Sequence, residues 1–142
     1  MKPRISLITL GVDNLERALR FYRDGLGLQT PGIVGQEFEH GEVVFFDLAG
    51  GLKLALFSRV NIAHDAGIPL QAGGTGGFTL AHNVASEAEV DSVMAEAGQA
   101  GATIVKAACE TFYGGYAGIF QDPDGHLWEV AYNPQMLPRD DG

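Results

Sequence analysis

The sequence has little cysteine, little positive charge and no long apolar run. A single cysteine, Cys109, cannot form an intrachain disulfide, which fits a reducing compartment. Lys and Arg number 9 against 18 Asp and Glu, and nothing resembles the basic patch that binds a phosphate backbone. No stretch approaches the roughly 18 uncharged apolar residues of a membrane span, and the N-terminus lacks a signal-peptide layout. We therefore expect a cytoplasmic protein with neither nucleic-acid nor membrane partners.

The remaining composition is that of an ordinary globular protein. Apolar residues make up 46% of the 142 residues and charged residues 19%, so the chain can form one domain with a core. The formal net charge of −9 would suit a cationic ligand, although acidity also serves solubility alone.

The first part of the chain reads as a strand, a helix and three further strands. Residues 5–12 are strand-like, and Asp13 with Glu16 three residues later predicts a capping-box helix start. Apolar residues at helical spacing follow until Gly25 and Gly27 end the helix. Residues 33–38 predict a further strand, and residues 43–48 and 52–58 a hairpin.

Residues 59–76 predict a connector that ends in the glycine run Gly73–Gly77, interpreted as a flexible hinge. The order of elements then repeats. A strand over 78–84 precedes a second capping box, Ser86 and Glu89, and its helix. Strands follow at 103–107, 116–121 and 127–132, the last two joined by the turn sequence Asp122-Pro123-Asp124-Gly125.

The two halves match residue by residue, which indicates an internal duplication. Thr9 matches Thr79 at an offset of 70 (79 − 9), and Asp47 matches Asp122 at an offset of 75 (122 − 47). The modules span about 4–58 and 77–133 within a single domain, 1–142. Each leaves one sheet face uncovered, so a ligand is expected in a cleft that both modules form.

Two segments resemble the vicinal oxygen chelate superfamily, which holds glyoxalase I, bleomycin-resistance proteins and extradiol dioxygenases. The segment Val12–Arg17, with Phe21-Tyr22 and Leu26-Gly27-Leu28 after it, is similar to the family's opening, and Phe120–Glu129 to its closing signature. The resemblance covers residues 4–133. It implies an α+β fold of two tandem βαβββ modules whose curved mixed sheets form a cupped cleft. It also allows a homodimer, and the sequence does not fix the oligomeric state.

The resemblance further implies a divalent ion held by the first and last strand of each module. Glu129 occupies one such position, and an offset of 75 puts Leu54 at its partner (129 − 75). The first-strand positions fall on Leu7 or Ser6, and on Gly77, Phe78 or Thr79. Because a single carboxylate does not hold a transition metal, we expect neither a metal nor another cofactor, and Glu129 is the sole ligand if a metal binds.

Glu129 is therefore a candidate general base or ligand-binding group, or a structural carboxylate paired with a neighbouring donor. His82 on a strand has a structural alternative as well, as a hydrogen-bonded core histidine. The loop Phe112–Gly115 can supply flat aromatic area beside a ligand, whereas Cys109, without a basic neighbour in sequence, is expected to be inert. The predicted ligand-binding residues are Asn83, Thr79, Thr9, Tyr113, Tyr116, His82, Leu54 and Leu7.

Three functions stay open. The first is a glyoxalase-like, metal-independent lyase or isomerase that acts on a small polar molecule with Glu129 as its acid/base residue. The second is a bleomycin-type antibiotic-binding protein that sequesters its ligand without catalysis. The third, a metal-dependent lactoylglutathione lyase or dioxygenase, is disfavoured, because only Glu129 of the ligand set is in place.

Overall fold

The computed structural model describes residues 1–72 and 77–139, and the chain divides into two compact units, Met1–Gly73 and Gly74–Gly142. The predicted hinge, apart from Gly77, lies outside the described residues. Among the described helices, none is both long and apolar enough to cross a membrane.

The first unit is a four-stranded mixed sheet with two helices. Its elements are β1 (Leu7–Val12), α1 (Leu15–Leu19) continued by a π-helical turn (Arg20–Gly25), β2 (Ile33–Val34), β3 (Val43–Asp47), β4 (Lys53–Ser58) and α2 (Arg59–Ala66). The strand order is β1-β4-β3-β2, with β1 parallel to β4 and the other pairs antiparallel. The predicted strand over 33–38 keeps only two residues, since the chain turns after it through hydrogen bonds from Phe38 N to Gly35 O and from Gly41 N to Phe38 O.

The second unit repeats this arrangement. Its elements are β5 (Thr79–Val84), α3 (Glu87–Gln99), β6 (Thr103–Glu110), β7 (Tyr116–Gln121) and β8 (Leu127–Tyr132). The order β5-β8-β7-β6 again contains one parallel pair, β5 with β8. The two units confirm the α+β fold of tandem βαβββ modules.

The start of α3 agrees with the sequence prediction, whereas the start of α1 differs from it by one residue. Ser86 caps α3 as predicted, and its hydroxyl accepts a hydrogen bond from Glu89 N at 3.2 Å. Asn14, not Asp13, caps α1 by accepting from Arg17 N at 2.9 Å. Asp13 instead forms an ion pair with Arg59 at the start of α2, a helix inside the segment predicted as a connector.

Each sheet has one face packed on its own helix. In the first unit Tyr22 packs on Phe46 with ring centroids 6.0 Å apart, and both side chains are fully buried together with Leu54 and Leu56. In the second unit Gly118 approaches Met94 of α3 so closely that an added Cβ would lie 2.8 Å from its Cε. Phe120 and Trp128 stack at 6.2 Å. We call the opposite face of each sheet, which points away from α1 or α3, its far face.

Strand pairing corrects the register of the repeat. Ala55 pairs with Thr9 and Phe45, as Glu129 pairs with Ala81 and Ile119, so the ladder relates Ala55 to Glu129 at an offset of 74 (129 − 55). The predicted offset of 75 is one residue too large. Because successive strand side chains point to opposite faces, this single residue moves Leu54 from the far face into the core, where it is 1% exposed.

Candidate functional site

Glu129 lies in the middle of β8, on the far face of the second sheet. Its neighbours in the chain, Trp128 and Val130, point towards α3, and Val130 is fully buried. Alternation along the strand therefore turns the partly buried Glu129 carboxylate away from α3. Across the ladder it lies between Ala81 of β5 and Ile119 of β7.

Two bulges in β6 bring a lysine and the cysteine to the same face. The register against β7 shifts between Ile104 and Lys106 and again between Lys106 and Cys109. Lys106 consequently pairs with Ile119, the residue that pairs with Glu129 from the other side. Cys109 pairs with Ala117 on the same face. The strand was predicted to end at residue 107, so neither placement could be expected.

A pocket of about 220 Å³ opens on this face, within the second unit. Its lining includes Lys106, Cys109, Phe112, Tyr113, Ile119 and Glu129. Phe112 and Tyr113 contact each other edge to face, with ring centroids 5.3 Å apart. Of the predicted site residues, Glu129 and Tyr113 therefore meet in one pocket.

The loop that carries Tyr113 is held in place by its own hydrogen bonds. Gly115 N donates to Thr111 Oγ1 at 2.9 Å, and Thr111 N donates to Gly115 O at 3.0 Å. A Cβ at Gly115 would lie 2.6 Å from Tyr113 Cε2. The glycine therefore permits this close contact between the loop backbone and the Tyr113 ring.

The charged groups of the pocket have no protein partner among the described residues. Within residues 1–72 and 77–139, neither the Lys106 ammonium nor the Glu129 carboxylate forms an ion pair or a side-chain hydrogen bond. The predicted structural alternative for Glu129, pairing with a neighbouring donor, is not what this part of the chain shows. Both groups are available to a ligand.

Other predicted residues of the second unit lie outside the pocket lining. Asn83 and Thr79 share the far face, because they pair with Ala131 and Leu127 on either side of Glu129. His82 pairs with Val130 and points to the α3 side, where it is exposed rather than buried in the core. Tyr116 also points to α3, and its hydroxyl donates to Asp91 Oδ1 at 2.6 Å.

The predicted residues of the first unit do not form a comparable site there. Leu7 and Thr9 lie on the far face of the first sheet and are exposed, and Leu54 is in the core. Two further histidines, His40 and His64, stack with ring centroids 4.0 Å apart, and His40 Nδ1 lies 2.9 Å from Asn61 Oδ1.

A larger pocket of about 490 Å³ in the first unit offers less chemistry. Its charged lining residues, Arg23 and Asp47, are already paired with Asp24 and Lys53 respectively. The smaller pocket, in which Lys106 and Glu129 have no ion-pair partner among the described residues, is therefore the better candidate site.

The residues at the family's metal positions do not fit a transition metal. The ladder relates Leu7 to Thr79, since they pair with Lys53 and Leu127, and it relates Ala55 to Glu129. Of these four side chains only Glu129 is a carboxylate, whereas such ions require several His, Cys or carboxylate ligands. Among the described residues no group of three or more such side chains could hold a metal ion.

The family model that matches this chain is the Glyoxalase/Bleomycin resistance protein/Dioxygenase superfamily, over residues 4–130. The chain belongs to this superfamily. The resemblance noted in the sequence is thereby confirmed, and the matched range contains both β-sheets up to Val130 of β8. No curated protein matches the sequence.

Solved structures of glyoxalase-superfamily members resemble the whole chain. A glyoxalase-related enzyme from Fulvimarina pelagi is 34% identical, with 99% of this chain and 95% of that one covered and a TM-score of 0.85. A lactoylglutathione lyase from Agrobacterium tumefaciens is 26% identical over 93% and 95%, with a TM-score of 0.67. The fosfomycin resistance protein FosX from Listeria monocytogenes, 21% identical over 94% and 95% with a TM-score of 0.68, shares the fold.

Proposed function

We propose that this chain binds a small polar molecule in the pocket on the far face of the second sheet, and that Glu129 is its general base in a metal-independent lyase or isomerase reaction. The position of Glu129 carries the proposal. Its carboxylate is partly buried, lines the pocket and is unpaired among the described residues, so its oxygens can accept a proton from a ligand.

The chemistry open to such a base is proton transfer at a carbon next to a carbonyl group. A Glu129 carboxylate oxygen takes the proton, and the electron pair of the broken C–H bond forms an enolate. Where the α carbon carries a hydroxyl group this intermediate is an enediolate, and an isomerisation is complete when the hydroxyl proton moves to the former carbonyl oxygen and Glu129 returns its proton to the former carbonyl carbon. Expulsion of a leaving group from the β carbon by the same electron pair completes an elimination. Ala117 and Ile119, which flank the carboxylate on the same face, give the pocket an apolar floor beside the base.

Two observations support this function over antibiotic sequestration. The pocket, at about 220 Å³, is smaller than the roughly 300–1,000 Å³ of pockets for drug-sized ligands. The 26% identity to a lactoylglutathione lyase supports a lyase-type activity in this branch of the superfamily. The net charge of −9 favours the alternative, a bleomycin-type antibiotic-binding protein.

Proton exchange tests the role of Glu129 without knowledge of the physiological substrate. We expect the protein to catalyse deuterium uptake from D₂O at the carbons next to the carbonyl of hydroxyacetone or pyruvate, followed by ¹H NMR. Glu129→Gln should slow exchange about 10²-fold or more, and Glu129→Asp should retain part of the rate. Equal rates for wild type and Glu129→Gln with both compounds, at unchanged thermal midpoint, would overturn the proposal.

Calorimetry tests the alternative. Heat on titration with bleomycin, together with protection of sensitive cells that express the protein, would favour sequestration.

A further inference from the structure

We infer that Lys106 forms an anion-binding subsite opposite Glu129, and that the ligand of this pocket is a small oxyacid anion bearing a carboxylate or phosphonate group. The inference rests on the proposed function, because it names the substrate class of the same pocket. It follows from the charge distribution of the second unit, the bulges of β6 and the pairing of three adjacent strands.

Lys106 is an isolated cation in an acidic part of the chain. Residues 77–139 contain eight Asp and Glu but only one Lys and one Arg, Lys106 and Arg139. A lysine with so many acidic residues in its unit would be expected to pair with one of them. Instead, within residues 1–72 and 77–139 no carboxylate lies within ion-pair distance of its ammonium group, although Glu110 and Glu129 line the same pocket.

The first bulge of β6 sets the direction of the Lys106 side chain. Ile104 pairs with Phe120 and faces α3, where its Cδ1 lies 3.9 Å from the Cβ that Gly98 would carry. In a regular antiparallel ladder, residue 106 would then pair with Gly118 and also face α3. The extra residue, Val105, shifts Lys106 to Ile119 on the far face. Bulges re-aim side chains in this way, often beside active sites.

The pairing fixes the spacing between the backbones that carry the two charges. Lys106, Ile119 and Glu129 lie in one row across β6, β7 and β8, so the backbones of Lys106 and Glu129 are about 10 Å apart. An apolar side chain, Ile119, separates a cation from a carboxylate. This arrangement suits a molecule whose anionic group pairs with Lys106 while a carbon or hydroxyl a few bonds away reaches Glu129. Glu110 and Glu129 would attract a cationic ligand, but such a ligand would leave Lys106 without a counter-ion.

Cys109 provides a binding signal that does not depend on catalysis. It is the only cysteine, it is exposed, and it lines the pocket beside Lys106. A ligand in the pocket should slow its alkylation by neutral iodoacetamide, followed by mass spectrometry. The probes are pyruvate, methylphosphonate and the neutral pyruvamide, which has nearly the same shape as pyruvate. We expect one of the anions to protect Cys109 at a concentration about tenfold or more below that of pyruvamide.

Three variants test the part played by Lys106. Lys106→Gln should raise the anion concentration needed for protection about tenfold or more, and Lys106→Arg should preserve protection. The double variant Val105→Lys/Lys106→Val keeps the composition and net charge but removes the cation from the pocket, so it should behave like Lys106→Gln. Val105 is 51% exposed and is not among the residues that line the pocket, which makes it a tolerant host.

Failure of this inference can be told from failure of the proposed function. Glu129→Gln should slow proton exchange about 10²-fold or more but keep anion protection of Cys109, because it removes only a negative charge from the pocket. If anion protection requires Lys106 but the wild-type protein catalyses no proton exchange, the anion subsite stands and the role of Glu129 as a general base is overturned. Equal protection by anions and pyruvamide, anion protection that survives in the double variant, or no protection by any probe would overturn the anion subsite. The anion that protects Cys109 at the lower concentration, pyruvate or methylphosphonate, shows whether the ligand carries a carboxylate or a phosphonate group.

Discussion

Asp122 shows how one side chain fixes the position of Glu129. Among the described residues it is the one polar residue that is buried, with 4% of its surface exposed. Its Oδ1 accepts hydrogen bonds from Asp124 N at 2.9 Å and from His126 N at 2.8 Å. These bonds shape the turn between β7 and β8, and the turn sets the register in which Glu129 lies beside Ile119.

Removal of this acceptor should destabilise the second unit. We expect Asp122→Ala to lower the free energy of unfolding by about 2 kcal/mol, since two partly buried backbone N–H groups lose this hydrogen-bond acceptor. Urea denaturation measures the change. Asp122→Asn, which retains Oδ1, should lose clearly less. An Asp122→Ala protein as stable as the wild type would show that the turn does not depend on this side chain.

At the scale of elements, strand register decides which residues can belong to a site. The repeat offsets predicted from sequence were 70 for the first strand and 75 for the last, and the ladders give 72 (81 − 9) and 74 (129 − 55). An error of two residues keeps a side chain on the same face, so Thr9 and Thr79 stay on their far faces. An error of one residue reverses the face, which is why Leu54 was predicted to bind ligand and lies in the core.

The contact between α3 and β7 gives this element pair a pH-dependent link. The Tyr116 hydroxyl donates to Asp91, and this hydrogen bond, with desolvation as a smaller cause, raises the pKa of Tyr116 above its ordinary value. The folded state therefore holds the phenolic proton more tightly than the unfolded state. The stabilisation is complete below about pH 10 and disappears as the pH rises through the raised pKa.

Tyr116→Phe should accordingly lower the thermal midpoint near neutral pH, and the difference from wild type should vanish at strongly alkaline pH. Scanning calorimetry across the alkaline range measures this convergence. Tyr113→Phe is the matched control, because the Tyr113 hydroxyl donates to no described residue, and it should follow the wild-type profile. A difference that stays constant with pH would mean that the Tyr116 proton makes no contribution.

For the whole molecule, the residues at the family's metal positions in both units predict a low metal content. Leu7, Ala55 and Thr79 stand at three of the four metal positions, and only Glu129 is a carboxylate. We expect protein purified without chelator to carry less than about one equivalent of divalent ion by mass spectrometry. Glu129→Ala should leave that content unchanged. A stoichiometric ion that is lost in Glu129→Ala would contradict this prediction and reopen metal-dependent chemistry.

The sequence by itself determined the order of the strands with α1 and α3, the duplication and the superfamily, but it missed α2. These features depend on local signals, such as the alternation in β8, the Ser86 cap of α3 and the turn sequence at Asp122, and such signals can be read from neighbouring residues. The sequence also predicted Glu129 and Tyr113 as catalytic and ligand-binding residues, and both line the pocket of the second unit. The sequence also shows that Lys106 and Arg139 are the only Lys and Arg after residue 76, but it does not show which face of the sheet Lys106 points to.

Only the tertiary structure decided which residues share a face. The pairing of β6 with β7 contains two bulges, and each depends on contacts between strands rather than on the local sequence of β6. In a regular ladder Lys106 would pair with Gly118 and face α3, and the pocket would have been assigned no cation. Register is a property of two strands together, and a shift of one residue reverses every side chain, so a single strand's sequence cannot determine it.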